Sequence, residues 1–284
     1  MKSPMFSILV VSLNPGEKLV ETVRSVAKQT YRDYEVIVKD GGSKDDSLDA
    51  LRAYLQESGV PQQVRILKQS DTGIYDGMNQ ATQAARGEYL YFLNCGDFFT
   101  SEEVLAQAAE EIRAALQSSG TEKAAESDAP KIFYGDILDA LRGEVVASNP
   151  HINDFACYRN VPCHQACIYH YSLFEERGYD PVYRVRADYE HFLWCYFRRD
   201  ARPRYIPVTL ASYEGGGFSE TPENRKRSAG EHREITALYM SKGQRLKYRA
   251  VLLATLAPLR TKMAESPAWS GFYNKCKKRL YRRV

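Results

Sequence analysis

The stretch DTGIYDGMNQATQAARGEYLYFLNCGD, residues 71–97, decides the fold of this chain. It begins with a short turn that carries two carboxylates, Asp71 and Asp76, and continues through a small, polar segment suited to a helix lying against a sheet. The aromatic-rich apolar run at residues 88–93 then predicts a buried strand. Asp97 follows that strand, and a carboxylate just past the carboxyl end of a buried strand lies where open α/β sheets bind ligands.

Strand and helix patterns alternate on the amino-terminal side of this stretch. Short apolar runs at residues 6–12, 34–40 and 64–68 predict strands, and the segments between them carry apolar residues at helical spacing. This alternation implies a mainly parallel sheet with helices on both faces, and right-handed crossovers place the loops that follow the strands on one edge. We therefore expect the polar residues of those loops to converge on one cleft: Ser12, Asn14, Asp40, Asp71 and Asp97.

The α/β pattern continues to about residue 219. A capping-box sequence at residues 100–103 predicts a helix, and the aperiodic segment 118–130 predicts a surface loop. Charged residues 220–233 are expected to order on binding. Further runs predict strands at residues 131–136, 166–170 and 205–213 and an aromatic helix at 191–197.

Length and composition fit one large domain with an appendage. The 284 residues are 44% hydrophobic and 26% charged, which is ordinary for a globular protein. We expect a domain at residues 1–240, with halves at 1–117 and 131–219, followed by a tail at 241–284. The six cysteines show no framework spacing and no signal peptide is visible, so we expect reduced thiols and a cytoplasmic location.

Several chemistries are excluded by missing motifs. The chain has no P-loop and no G-x-G-x-x-G after its first strand, which argues against kinases, ATPases and dinucleotide oxidoreductases. Cys157, Cys163 and Cys167 lie near His164, but they lack the paired C-x₂-C spacing of zinc sites, so zinc is not expected.

The motifs as a set resemble the family 2 glycosyltransferases, and in particular the bacterial members that build surface polysaccharides. The resemblance rests on Asp71-x-Gly-Ile-Tyr-Asp76-x-Met-Asn79, on Ala-x-Gly87, and on a strand that ends in Asn-x-Gly-Asp97. It covers about residues 6–218. It implies a GT-A type α/β fold and the inverting transfer of one sugar from a nucleotide sugar, with a UDP-sugar as the expected donor.

On the donor side, the resemblance assigns Asp40 to the nucleotide base. A carboxylate can accept from a pyrimidine imide N–H, and the alternative is an Asp that only stabilises the Gly-Gly turn after it. The resemblance further implies Mg²⁺ or Mn²⁺ at Asp97. Relatives usually present Asp-x-Asp there, whereas this chain has Asn94, which adds no negative charge. The remaining expected nucleotide-sugar-binding residues are Ser12, Asn14, Asp71, Asp76, Asn79 and Asn94.

On the acceptor side, the resemblance assigns the general base to Asp188, with Glu190 as the second choice. The alternative is that these acids only favour the first turn of a helix. His164 and Gln165 are expected to line the acceptor side of the cleft, although His164 also fits a buried, satisfied histidine. The glycine-rich segment after the last strand predicts close backbone approach to diphosphate or acceptor, through Gly216, Gly217 and Ser219.

The tail combines apolar and basic residues. Residues 245–284 contain 11 Lys or Arg and one acid, Glu265, whereas the whole chain has a formal charge of only +3. A basic tail on an acidic body is unlike a nucleic-acid-binding domain, so nucleic acid is not expected. An apolar face beside Lys and Arg favours peripheral binding to an anionic membrane surface, here the inner face of the cell membrane. The alternative is a helix packed on the body or across a homodimer.

The expected acceptor is a polyprenyl-diphosphate-linked glycan. Two alternatives stay open: direct transfer to polyprenyl phosphate, and a non-catalytic scaffold that only binds nucleotide sugars, which the substitution at Asn94 motivates. A nucleotidyltransferase is disfavoured because the loop after the first strand, Asn14-Pro15-Gly16, is short and lacks Arg and Lys.

Overall fold

A computed structural model describes residues 3–59, 63–119, 129–213, 221–256, 266 and 269–281. Strands and helices alternate through the first hundred of these residues, as the sequence predicts. The strands are β1 (Phe6–Ser12), β2 (Tyr34–Asp40), β3 (Val64–Lys68), β4 (Tyr89–Phe92), β5 (Phe98–Phe99), β6 (Ile132–Asp139), β7 (Glu144–Val146), β8 (Cys167–His170) and β9 (Arg204–Tyr213).

Helices cover both faces of the sheet that these strands form. The five in the first two thirds of the chain are α1 (Lys18–Ala27), α2 (Ser47–Ser58), α3 (Ile74–Ala84), α4 (Val104–Ser119) and α5 (Asp154–Arg159). The later ones are α6 (Ser172–Glu175), α7 (Ala187–Arg199), α8 (Pro222–Tyr239), α9 (Lys242–Ala254) and α10 (Ser270–Tyr281). Of the segment predicted to order on binding, residues 222–233 belong to α8, and residue 220 lies outside the described part of the chain. Of the predicted surface loop, residues 120–128 lie outside the described part of the chain.

The strand order is β3-β2-β1-β4-β8-β6-β9-β5, with β7 beside β6. The first four strands of that order run parallel, and the register places Ser12 opposite Asp40. Beyond β4 the sheet is mixed: β8 pairs antiparallel with both β4 and β6, while β6 and β9 are parallel. The predicted α/β fold is confirmed, and the run of four adjacent parallel strands belongs to the amino-terminal half, where a helix crosses over between consecutive strands.

The core forms two layers, one on each face of the sheet. All seven residues of β1 are buried, because helices cover both of its faces. Side chains alternate between faces along a strand, so Ile8 and Val10 pack with α1, α2 and α4, whereas Leu9 and Val11 pack with α3 and α7.

The described part of the tail contains two short helices, α9 and α10. No residue of α9 is buried, although Tyr248 packs against Phe155 and Tyr158, with ring centroids 5.6 and 5.5 Å apart. Within the described residues, no helix has the length and apolarity needed to cross a membrane.

Candidate active site

The loops after β1 and β2 hold each other in place. Asp40 is fully buried, and its carboxylate accepts hydrogen bonds from the backbone N–H groups of Gly42 and Ser43, both at 2.9 Å, and from the Ser43 hydroxyl. The Asn14 N–H donates to Ser43 Oγ at 2.7 Å. The assignment of Asp40 to the nucleotide base is therefore not supported by its surroundings, because its oxygens stabilise the Gly-Gly turn instead.

Ser12 remains suited to a ligand. Its hydroxyl is buried at the carboxyl end of β1, and no described residue forms a hydrogen bond with it. Asn14 is exposed and adopts a left-handed conformation with φ of 49°, while its side-chain oxygen accepts from the Lys44 N–H. Ser12 thus faces the cleft with an unused hydroxyl, and Asn14 shapes the loop beside it.

Asp71 is held by a lysine that the sequence analysis missed. Lys39, the residue before Asp40 on β2, is fully buried, and its Nζ donates to Asp71 Oδ2 at 2.6 Å. Gly41 and Gly77 let the carboxylate approach the backbone closely, since an added Cβ would lie 2.7 and 3.2 Å from Asp71 Oδ2. The ion pair fixes the Asp71 side chain at the rim of the cleft.

A cavity of about 590 Å³ opens at this edge of the sheet. This volume is typical of small-molecule sites. Asp76 lies in its wall, accepts from the Thr72 N–H at 2.8 Å, and has a pKa below its ordinary value mainly because of that hydrogen bond. The lining residues come from the end of β1, from the turn before α3 and from the segment before α7, and include Ser12, Asp71, Asp76, Pro181 and Arg184.

Asn79 has a structural role. Its Nδ2 donates to the carbonyl of Tyr179 and its Oδ1 accepts from the Tyr179 N–H, both at 2.8 Å. Both polar ends of the side chain are therefore occupied, and α3 is joined to the acceptor half. The expectation that Asn79 binds the nucleotide sugar is not supported by this geometry.

Four side chains from distant parts of the sequence form a hydrogen-bonded array. Asn94 Nδ2 donates to His164 Nε2 at 2.7 Å, which leaves the ring proton on Nδ1. That Nδ1 faces Asp188 Oδ2 at 3.4 Å. On the other side, the Tyr75 hydroxyl lies 3.0 Å from Asp188 Oδ1 and 2.9 Å from the carbonyl of Val185.

The array keeps Asp188 ionised. Burial raises the pKa of this carboxyl, but the hydrogen bonds from the His164 imidazole, the Tyr189 N–H and the Tyr75 hydroxyl outweigh burial, so the pKa lies below its ordinary value. The Asp188 side chain retains 21% of its exposure, which leaves it open to a substrate. An ionised, oriented and accessible carboxylate can act as a general base.

Asp97 lies beside the array at the end of β4. It is buried, and its Oδ2 accepts from Gln165 Nε2 at 3.1 Å. Asn94 Oδ1 is also buried, without a hydrogen bond from any described residue. Among those residues no group of three or more His, Cys, Asp or Glu could hold a metal ion.

Glu190 is separated from the other predicted site residues. It is buried, and both of its oxygens accept from Arg177 Nη2, at 2.8 and 2.7 Å. The Tyr239 hydroxyl donates to Oε1 as well. These contacts commit Glu190 to an internal ion pair, so its assignment as the second-choice base is not supported. Gly216, Gly217 and Ser219 lie outside the described residues.

Glu231 is a further residue that the sequence analysis missed. It lies on α8, is buried, and accepts from three successive backbone N–H groups of residues 184–186, at 3.0, 3.0 and 2.8 Å. That segment contributes Arg184 to the cavity wall and leads directly to Asp188. The only sequence signal was an acid within the charged segment 220–233, which does not predict such a contact.

Comparison with known proteins defines the class. The model of the family described as "Glycosyl transferase family 2" matches residues 7–127. The PGL/p-HBAD biosynthesis glycosyltransferase of Mycobacterium tuberculosis is 32% identical over 223 residues, which cover 78% of this chain and 81% of that relative. The protein is thus an enzyme of the glycosyltransferase class, and the chain belongs to glycosyl transferase family 2.

Solved structures agree on the fold. S. aureus TarS 1–349 in complex with UDP-GlcNAc has a TM-score of 0.63 at 17% identity, covering 87% of this chain and 71% of that one. The mannosyltransferase PcManGT of Pyrobaculum calidifontis, in complex with GDP-Man and Mn²⁺, has a TM-score of 0.61 at 15% identity, covering 100% and 89%. At these identities the likeness is one of fold, which is the GT-A glycosyltransferase fold.

Proposed function

We propose that the protein transfers one sugar, with inversion, from a nucleotide sugar to a hydroxyl group of a lipid-linked glycan, with Asp188 as the general base. The observation that carries this proposal is the array that joins Asn94, His164, Asp188 and Tyr75. A carboxylate that only capped a helix would not need an imidazole and a phenol directed at it from two other segments.

The donor is proposed to occupy the cavity at the end of β1. Ser12 offers a free hydroxyl there, Asp71 and Asp76 offer acceptors for sugar hydroxyls, and the Arg184 guanidinium offers positive charge for a diphosphate. A UDP-sugar is the first candidate, which is in keeping with the UDP-GlcNAc bound to TarS.

Asp188 removes the proton from the attacking acceptor hydroxyl. Its lowered pKa keeps it ionised at neutral pH, and His164 and Tyr75 fix the direction of its two oxygens. The hydroxyl attacks the anomeric carbon from the face opposite the nucleotide, so the new bond forms with inversion while the nucleoside diphosphate leaves.

A divalent cation fits the oxygen donors at the end of β4. Mg²⁺ and Mn²⁺ are held by one or two carboxylates together with substrate phosphates, and Asp97 with the unpartnered Asn94 Oδ1 offers such ligands. When bound, the cation supplies positive charge that offsets the charge developing on the leaving diphosphate. Because Asn94 is neutral, the diphosphate itself contributes most of the negative charge.

The acceptor is proposed to be a polyprenyl-diphosphate-linked glycan of surface polysaccharide synthesis. The basic, apolar tail would hold the protein peripherally on the inner face of the cell membrane, where such an acceptor lies. A homodimer contact is the competing use of the same helices. Co-sedimentation with anionic vesicles that survives removal of residues 245–284 would count against the membrane role.

Donor binding and turnover test the proposal together. The protein, its Asp188→Asn variant and a control, Asp49→Asn at an exposed position on α2, are screened against nucleotide sugars with Mn²⁺ by thermal shift and by donor hydrolysis. We expect one donor to stabilise all three proteins and only Asp188→Asn to lose turnover. Stabilisation without turnover in the unsubstituted protein would favour the scaffold, and no stabilisation by any donor would reject the transferase assignment.

A further inference from the structure

A second cavity lies on the acceptor half, apart from the donor cavity. It has a volume of about 320 Å³ and lies between α5 and the β6–β7 hairpin. Val146 of β7 forms one wall, and Phe155 and Arg159 of α5 form another. The Arg159 guanidinium makes no ion pair with a described residue, so a positive charge at this cavity is available to a ligand.

The inner wall of this cavity is the turn that bears the active-site histidine. Cys163 and Ala166 line the cavity, and the two residues between them are His164 and Gln165. His164 contacts Asp188, and Gln165 contacts Asp97. The first turn of α7 is also joined to α5, since the Tyr189 hydroxyl donates to the carbonyl of Cys157 at 2.6 Å. A ligand in the cavity therefore lies directly behind the reacting groups.

Both tail helices are attached to the outer walls of the same cavity. On the α5 side, Tyr248 of α9 packs against Phe155, which itself lines the cavity. On the hairpin side, α10 lies so close to β7 that a Cβ added at Gly271 would be 2.6 Å from Glu144 Oε1. The tail thus frames the cavity on two sides.

The outward surface of the tail suits an anionic lipid surface. The sequences of α9 and α10 together contain eight Lys or Arg and no Asp or Glu. Within these helices or next to their ends, the chain also carries apolar side chains that are 55–71% exposed. They are Leu246, Leu253, Leu256, Trp269 and Phe272. Basic residues next to exposed apolar ones are the composition of helices that lie in membrane interfaces.

We propose that the cavity between α5 and the β6–β7 hairpin receives the phosphate-bearing part of the lipid-linked acceptor, and that α9 and α10 hold the walls of this cavity against an anionic phospholipid surface. The proposal rests on the function proposed above and adds the place and direction of acceptor entry. Arg159 pairs with the acceptor phosphate, and the glycan extends past the turn at residues 163–166 toward Asp188. The tail then orients the cavity toward the membrane in addition to attaching the protein to it.

Hydrogen exchange on the full-length protein tests the orientation. The protein is compared free and with vesicles of phosphatidylcholine and phosphatidylglycerol. We expect slower exchange in α9, α10, α5 and residues 146–153, with α2 unchanged as the internal control. Protection confined to the tail, or no vesicle binding, would overturn the orientation. The Tyr248→Ala variant should keep protection of α10 and lose that of α5, and full protection of α5 in this variant would contradict the proposed attachment.

Adding polyprenyl diphosphate to the same vesicles tests the cavity. We expect additional protection of α5 in the unsubstituted protein and no additional protection in Arg159→Gln. Arg233→Gln, at an exposed position on α8, is the control and should behave as the unsubstituted protein does. Equal added protection in Arg159→Gln would overturn the assignment of the phosphate. Donor hydrolysis, measured without vesicles, should be the same in the unsubstituted protein and in Arg233→Gln. Failure of the exchange tests with intact hydrolysis would reject the cavity alone, whereas the absence of hydrolysis would reject the transferase function.

Discussion

The contact of Glu231 with the segment before α7 provides the sharpest test of how Asp188, the proposed base, is held. In the native protein Oε1 accepts from the Arg184 N–H, and Oε2 accepts from those of Val185 and Arg186. The Glu231→Gln variant keeps one acceptor oxygen. In its best arrangement that oxygen takes the place of Oε2 and accepts from the N–H groups of Val185 and Arg186. The amide NH₂ then faces the Arg184 N–H, so at least one charge-assisted hydrogen bond is lost.

The loss of stability in Glu231→Gln follows from the number of hydrogen bonds lost. Hydrogen bonds to charged groups contribute about 1.5–3 kcal/mol, so we expect Glu231→Gln to lower the free energy of unfolding by about 2 kcal/mol. In a domain of this size that loss corresponds to a fall in Tm of roughly 4–8 °C. The Val185 carbonyl also accepts from Tyr75, whose hydroxyl touches Asp188, so the base shifts with the segment. We expect kcat at 25 °C to fall about tenfold, which is the effect of roughly 1.4 kcal/mol on the barrier.

The assay compares Tm and donor turnover for Glu231→Gln and Glu234→Gln. Glu234 is an exposed glutamate on the same helix, so it controls for the loss of one helical charge. Turnover is measured well below either Tm, because a purely structural role for Glu231 would lower Tm and leave kcat unchanged. Equal kcat values for the two variants would refute the argument that Glu231 positions Asp188.

Three further outcomes are expected. Lys39→Met leaves the Asp71 carboxylate at the cavity rim unpaired. Because breaking a buried pair costs about 3–5 kcal/mol, we expect the free energy of unfolding, measured by chemical denaturation, to fall by about 3 kcal/mol. Full additivity of this loss with that of Asp71→Asn would contradict the pairing. His164→Phe removes the contact that lowers the pKa of Asp188, so burial raises that pKa and the acidic limb of the kcat profile moves to higher pH; an unmoved limb would exclude His164 from this role. Excess chelator should abolish turnover. Added Mn²⁺ should then restore turnover in the unsubstituted protein and not in Asp97→Asn. Activity retained in chelator would remove the metal from the mechanism.

The fold was predictable where the apolar pattern is strongest. The bounds predicted for the first three strands coincide with β1, β2 and β3. β1 and β2 are almost fully buried, and buried parallel strands are near-continuous apolar runs, whereas β3 at the sheet edge is only partly buried. The mixed second half was not predictable in the same way. The direction of a strand such as β8 depends on which neighbour it meets, and β8 is inserted between β4 and β6 by contacts that no local pattern encodes.

The site was predictable as a set of segments and not as a set of side-chain directions. The resemblance assigned Asn94 to the nucleotide sugar, His164 to the acceptor side and Asp188 to the general base, and the structure brings these three side chains within hydrogen-bonding distance. Asp40 and Asn79 lie on equally suggestive segments, yet their polar atoms bind the backbone of their own protein. Whether a polar group faces a ligand or an N–H group depends on rotamers and long-range packing, which motif spacing does not determine.

The insertion of β8 next to β4 also has a consequence for synthesis of the protein. The sequence of β4, Tyr-Leu-Tyr-Phe, ends at Phe92, and its partner begins only at Cys167. At ribosomal rates of about 5–20 residues per second, the partner emerges about 4–15 seconds later. During that interval a nascent half-sheet presents an aromatic strand with an unpaired backbone edge, which is a template for association with other chains. Slow translation through the intervening segment should therefore increase aggregation, and a chaperone that covers this edge should reduce it.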